Sequence, residues 1–88
     1  MTHPTPSITY PCEVPIKAMG LSCDDFAQLI IEIVRCHVPE LDTSLVTTRP
    51  SPNGKYISVT VTIMANNRAQ LEAIYRDLKA CKQVLMTL

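Results

Sequence analysis

Cys36 and His37 stand side by side, a thiol next to an imidazole, which is the pairing of an activated nucleophile and its base. Their spacing works against that chemistry. Adjacent residues on a helix diverge by about 100° and do not face each other, and His37 falls on an apolar stripe where a satisfied, partly buried role is expected. Cys23 is the next candidate, at the end of Met19-Gly20-Leu21-Ser22-Cys23, between an expected strand and an expected helix. A helix N-terminus lowers a thiol's pKa, and metallochaperones of a related fold place two cysteines in such a loop. A soft metal needs at least two thiolates, and the four cysteines, Cys12, Cys23, Cys36 and Cys81, include no Cys-x-x-Cys pair. Residues 20–25 contain no arginine to cradle a phosphate, as an acylphosphatase-like enzyme requires. The expectation is therefore no catalytic residue, no metal, no cofactor and no enzymatic activity.

The remaining chemistry is that of binding, and it centres on Tyr56-Ile-Ser-Val-Thr-Val-Thr-Ile-Met-Ala65. Ile57, Val59, Val61 and Ile63 alternate with Ser58, Thr60 and Thr62, so this is a strand with one aliphatic and one hydroxyl-lined face. The aliphatic face needs a cover. The other face gathers Tyr56, Ser58 and Thr60, with Lys17 and Met19 from a first strand over Val14–Met19 and Arg49 from a second over Ser44–Arg49.

The elements that position these residues follow from periodicity. Pro15, unable to donate a ladder hydrogen bond, is expected to mark the first strand's beginning, and Gly20 to break it. Ser22 is expected to cap a helix whose first turn holds Asp24 and Asp25. Its stripe is Phe26, Leu29, Ile30, Ile33, Val34 and His37, and Pro39 ends it near His37 or Val38. Pro50-Ser51-Pro52-Asn53-Gly54 predicts a hairpin with Gly54 left-handed. The prolines favour an edge position for strand two and a central one for strand three. Asn66 or Asn67 caps a second helix with the stripe Leu71, Ile74, Tyr75 and Leu78. Gln83–Leu88 forms a last strand, with Val84, Met86 and Leu88 on one face and Leu85 and Thr87 on the other.

The order β-α-β-β-α-β with right-handed crossovers puts both helices on one face of a four-stranded antiparallel sheet. This is the ferredoxin-like α+β sandwich. Residues 1–13, with Pro4, Pro6 and Pro11, read as a flexible leader, and 14–88 as the single domain.

Composition narrows the partners. Eighty-eight residues allow one modest core. Eight basic and eight acidic residues give zero net charge, whereas nucleic acid rewards a concentrated positive field. The open face has a single aromatic, Tyr56, where RNA-recognition domains stack two or three bases. Nucleic acid is therefore not the expected partner, and weak RNA binding through the open face is the alternative reading. No apolar run reaches the roughly 20 residues of a membrane span. The N-terminal stretch has neither the positive region nor the apolar run of a signal peptide. A cytoplasmic protein with reduced thiols is expected. Met19, Met64 and Leu85 offer apolar spots for a protein partner, and an exposed second strand offers an edge for a homodimer.

Several segments together resemble the YbeD-like family of small bacterial proteins. They are Tyr10-Pro11 ahead of Pro15-Ile16-Lys17-Ala18-Met19-Gly20, Arg49-Pro50-Ser51, Gly54-Lys55-Tyr56, Ser58-Val59-Thr60-Val61-Thr62, Leu78, and Val84-Leu85-Met86-Thr87-Leu88. The resemblance covers roughly residues 10–88 and implies an architecture similar to the ACT domains that regulate amino-acid enzymes. Family members often sit near lipoate-attachment genes, which implies a context and no mechanism. ACT domains commonly bind small molecules near the glycine after their first strand, and Gly20 occupies the comparable place. The expected function is thus a non-enzymatic regulatory or adaptor module. It would bind a protein partner or small metabolite through Lys17, Met19, Gly20, Arg49, Tyr56, Ser58 and Thr60.

Overall fold

The computed structural model describes residues 10–87. Strands β1 (Cys12–Leu21), β2 (Val46–Pro50), β3 (Tyr56–Ala65) and β4 (Val84–Thr87) alternate with helices α1 (Phe26–Arg35) and α2 (Arg68–Ala80) in the order β-α-β-β-α-β. All strand pairs are antiparallel and the sheet order is β2-β3-β1-β4. Strand two is at the edge and strand three is central, as the prolines and the unbroken alternation required.

Alternation in β3 sends Val59, Val61, Ile63 and Ala65 into the interior, and their β1 neighbours Ile16 and Ala18 join them. Phe26, Ile30 and Val34 of α1, Val38 just after it, and Ile74 and Leu78 of α2 complete one buried cluster. Both helices therefore cover the same sheet face, and the other face lacks any covering element among the described residues. This is the ferredoxin-like sandwich.

Local chemistry moves several boundaries. Cys12 and Glu13 belong to β1, so the domain reaches two residues into the expected leader; residues 1–9 of that leader lie outside the described residues, as does Leu88. Pro15 sits inside β1, opposite Thr62, rather than at its start. Tyr56 points its backbone carbonyl toward β2, where Ser51 N–H meets it at 2.8 Å. Antiparallel alternation then makes Pro15 face away from β3. On that side β4 accompanies β1 only over Ala18–Gly20, so the missing N–H removes no ladder bond.

Ser22 does not cap α1. The helix begins at Phe26 with Asp25 at its N-cap and no side-chain cap bond, while Ser22 N–H donates to the Lys55 carbonyl at 2.9 Å. Before β2, Asp42 Oδ1 accepts from Ser44 N–H at 2.9 Å and from its hydroxyl at 2.6 Å. That Asx geometry winds Thr43–Leu45 into a single 3-10 turn, and β2 starts at Val46 rather than Ser44. Asn67 caps α2 as expected, accepting from Gln70 N–H at 2.8 Å, and Gln70 Oε1 accepts from Asn66 N–H at 2.7 Å.

The last strand departs most from simple alternation. Met19 pairs with Met86, but Gly20 pairs with Val84, so Leu85 is an extra residue in a bulge. Val84 and Thr87 consequently share the inner side, opposite Gly20 and Ala18, and Met86 lies on the open face beside Met19. The expected grouping of Val84 with Met86 is corrected by that one inserted residue.

Candidate functional site

One rung crosses the open face from edge to edge: Arg49 of β2 pairs with Ser58 of β3, Ser58 with Met19 of β1, and Met19 with Met86 of β4. The neighbouring rung carries Thr47, Thr60 and Lys17. At the hairpin end, Tyr56 pairs with Leu21. Residues distant in the chain are thus brought together by register alone.

The hairpin that presents Arg49 and Tyr56 is tied internally. Asn53 Oδ1 accepts from the Ser51 hydroxyl at 2.9 Å and from Lys55 N–H at 3.0 Å, and Ser51 Oγ accepts from Tyr56 N–H at 3.0 Å. Gly54 N–H reaches the Ser51 carbonyl at 2.9 Å with φ +73°, the left-handed turn predicted from Pro-Asn-Gly. Lys55 Nζ stands 5.5 Å from the centre of the Tyr56 ring, within cation–π range.

A concavity of about 270 Å3 opens at this end, walled by Met19, Arg49, Pro50, Ser51, Pro52, Tyr56, Ile57 and Ser58. It contains four of the residues expected to bind: Met19, Arg49, Tyr56 and Ser58. Lys17 and Thr60 lie one rung along the same face. Gly20 does not belong to it. Gly20 is buried beneath the Phe26 ring and beside the Gln83 carbonyl, where a side chain has no space. Its structural role is close approach, and it presents nothing to this concavity. Pro50 and Pro52, which in the sequence signal a turn and an edge strand, also wall the cavity, a role that no local spacing marks.

A second concavity, about 350 Å3, lies at the opposite end of β3, between its edge and the segment that follows α1. Its lining includes Glu13, Glu40 and Asp42 and no lysine or arginine. These acids are scattered along the chain, so no spacing announces them. Hydrogen bonds from the Ser44 hydroxyl, then from its amide, hold the Asp42 carboxyl below its ordinary value of 3.8. A depressed carboxylate adds stability that is complete above 3.8 and lost as pH falls through the lower folded value. A carbon-13 titration is expected to place Asp42 below 3.8, and Ser44→Ala to return it part of the way.

The other candidates are accounted for by their partners. α1 ends at Arg35, short of the expected His37 or Val38, and His37 lies in the turn beyond it. Its Nε2 lies 2.6 Å from Asp77 Oδ2, joining that turn to α2, and Gln70 Nε2 donates to the His37 carbonyl at 3.0 Å. His37 is the satisfied, partly buried residue that its place on the stripe implied. Cys23 is exposed, and its thiol donates to Asp25 Oδ1 at 3.3 Å. That bond is the main reason its pKa is raised, opposing the activation a helix start would supply. All four cysteines are free. No group of three or more His, Cys, Asp or Glu side chains among the described residues is placed to hold a metal, and none of the described helices is long and apolar enough to cross a membrane.

Fold and site together define a small ferredoxin-like domain with helices on one sheet face and a cationic concavity on the other. The chain belongs to the family described as "Protein of unknown function (DUF493)", whose model matches residues 5–88, in agreement with the YbeD-like resemblance. A UPF0250 protein of Azotobacter vinelandii is 44% identical over 84 residues, covering 94% of this chain and 91% of the relative. Another, from Paraburkholderia phytofirmans, is 46% identical over 79 residues, covering 90% and 89%. The solution structure of protein HP0495 from H. pylori shares the fold, with a TM-score of 0.73 at 20% identity over 96% of this chain and 88% of its own.

Proposed function

We propose that this protein is a non-enzymatic, ACT-like regulatory or adaptor module that binds through its open sheet face. The occupant we favour is a carboxylate with an apolar tail, either a small metabolite or one displayed on a protein partner. One observation carries the reading: a concavity free of acids is lined by Arg49 together with Tyr56, Met19 and two prolines. A guanidinium recognises a carboxylate through paired N–H donors, and the methionine and prolines offer apolar surface for the tail. Leu21 and Met86, about half exposed, extend that surface. The lipoate context implied by the family resemblance makes lipoate and octanoate the first probes.

The test is a proton–nitrogen titration with lipoate, octanoate and a set of amino acids. Shifts concentrated at Met19, Arg49, Tyr56 and Ser58 are expected, and Arg49→Glu is expected to weaken binding by about 10-fold or more, the loss of one charge-assisted contact. Absence of shifts with every probe, together with no lysate protein whose retention Arg49→Glu abolishes, would overturn the reading.

A further inference from the structure

β2 leaves β3 before β3 ends. Their pairing stops at Val46 and Val61, yet β3 continues to Ala65 with β1 beside it in unbroken register. Tyr56 directs its backbone toward β2, and successive residues of a strand direct their N–H and C=O groups to alternate sides. Met64, eight residues on, therefore offers its amide and carbonyl to the side that β2 has vacated. No backbone partner among the described residues meets them there.

The acidic concavity lies along this edge. Leu41, Leu45 and Met64 give it an apolar wall, and Leu45 and Met64 are 46% and 51% exposed. Glu13, Glu40 and Asp42 add three carboxylates with no lysine or arginine to balance them. Asp42 commits only Oδ1 to Ser44. His37, also in the lining, is engaged by Asp77. An unpaired strand edge invites an added strand, and uncompensated carboxylates select cations and repel an acidic segment.

We propose that this groove docks an extended segment of a partner protein, rich in Lys or Arg around apolar residues, which adds a short strand to β3 at Met64. Main-chain bonds to Met64 would set its register, and the three carboxylates its charge. The site is separate from the Arg49 concavity and opposite to it in sign, so the two readings stand or fall independently.

The probe is the peptide acetyl-Arg-Val-Lys-Ile-Arg-amide, with acetyl-Glu-Val-Glu-Ile-Glu-amide as control, titrated into the full chain at low salt. Amide shifts are expected at Asp42, Leu45 and Met64 with the basic peptide, and affinity about 10-fold or more below that with the acidic one. Met64→Pro deletes the N–H on the vacated side while the β1 ladder, made through Ile63 and Ala65, is kept; it is expected to weaken binding by about 10-fold. Should that variant fold poorly, the surface pair Glu40→Gln and Asp42→Asn is expected to weaken binding about 3-fold or more and to flatten its salt dependence. Equal affinity for the two peptides, shifts centred on Arg49 and Tyr56, no binding, or a double variant that binds like the parent would each overturn the proposal.

Discussion

Phe26→Ala is expected to lower folding stability by about 3–5 kcal/mol, the range for truncating a fully buried aromatic ring. Phe26 is the bulkiest of the fully buried side chains and opens α1, where the chain arrives from β1 with no side-chain cap. The ring itself is thus the main anchor of that helix start. Eighty-eight residues at the usual 0.05–0.15 kcal/mol each give a total of roughly 4–13 kcal/mol, so this one change removes about a quarter of it or more. In a domain of this size each kcal/mol shifts Tm by about 4–8 °C. Urea denaturation monitored by circular dichroism measures the loss. Phe26→Leu, which retains most of the apolar volume, is expected to lose less. A loss under about 1 kcal/mol for Phe26→Ala would mean that the cavity collapses and that the ring is not the anchor.

The fold was legible because its core residues repeat at the periods of their elements. Val59, Val61 and Ile63 keep period two, and Phe26, Ile30 and Val34 keep steps of four, so faces can be assigned without long-range information. The bindable face was legible for the same reason: Ser58 and Thr60 had to oppose the aliphatic side. What periodicity does not carry is the contact between elements. Pro15 is tolerated within β1 because β4 is too short to pair there, a fact about another strand. Leu85 is bulged because β4 shifts register against Gly20. Ser22 gives its amide to Lys55, a residue beyond two intervening elements. The acidic groove draws Glu13, Asp42 and Met64 from three separate segments and so leaves no local mark. Gly20 shows the ambiguity most clearly: a glycine after an apolar run signals a turn, a ligand approach or close packing, yet β1 runs through it to Leu21, and the position of Phe26 decides for close packing.

Gly20→Ala is the change that tests this assignment, with an expected loss of about 3 kcal/mol, at the upper end of ordinary overpacking. A Cβ there would fall 2.6 Å from Phe26 Cε1 and 2.8 Å from Cζ, and closer still to the Gln83 carbonyl oxygen. The ring can tilt only against other buried groups, and the carbonyl belongs to the backbone that leads into β4. The strain is therefore expected to appear as loosening of β4, with faster amide exchange at Val84 and Met86 than at Val59 or Val61 in the central strand. Combining the two substitutions separates the two obstacles. Removing the ring relieves its clash with the new methyl group but leaves the carbonyl in place, so Gly20→Ala with Phe26→Ala is expected to be less destabilised than the sum of the singles, yet worse than Phe26→Ala alone. A ligand-approach role for Gly20 predicts the opposite pattern: little change in stability from Gly20→Ala, additive singles, and a loss confined to binding at the open face.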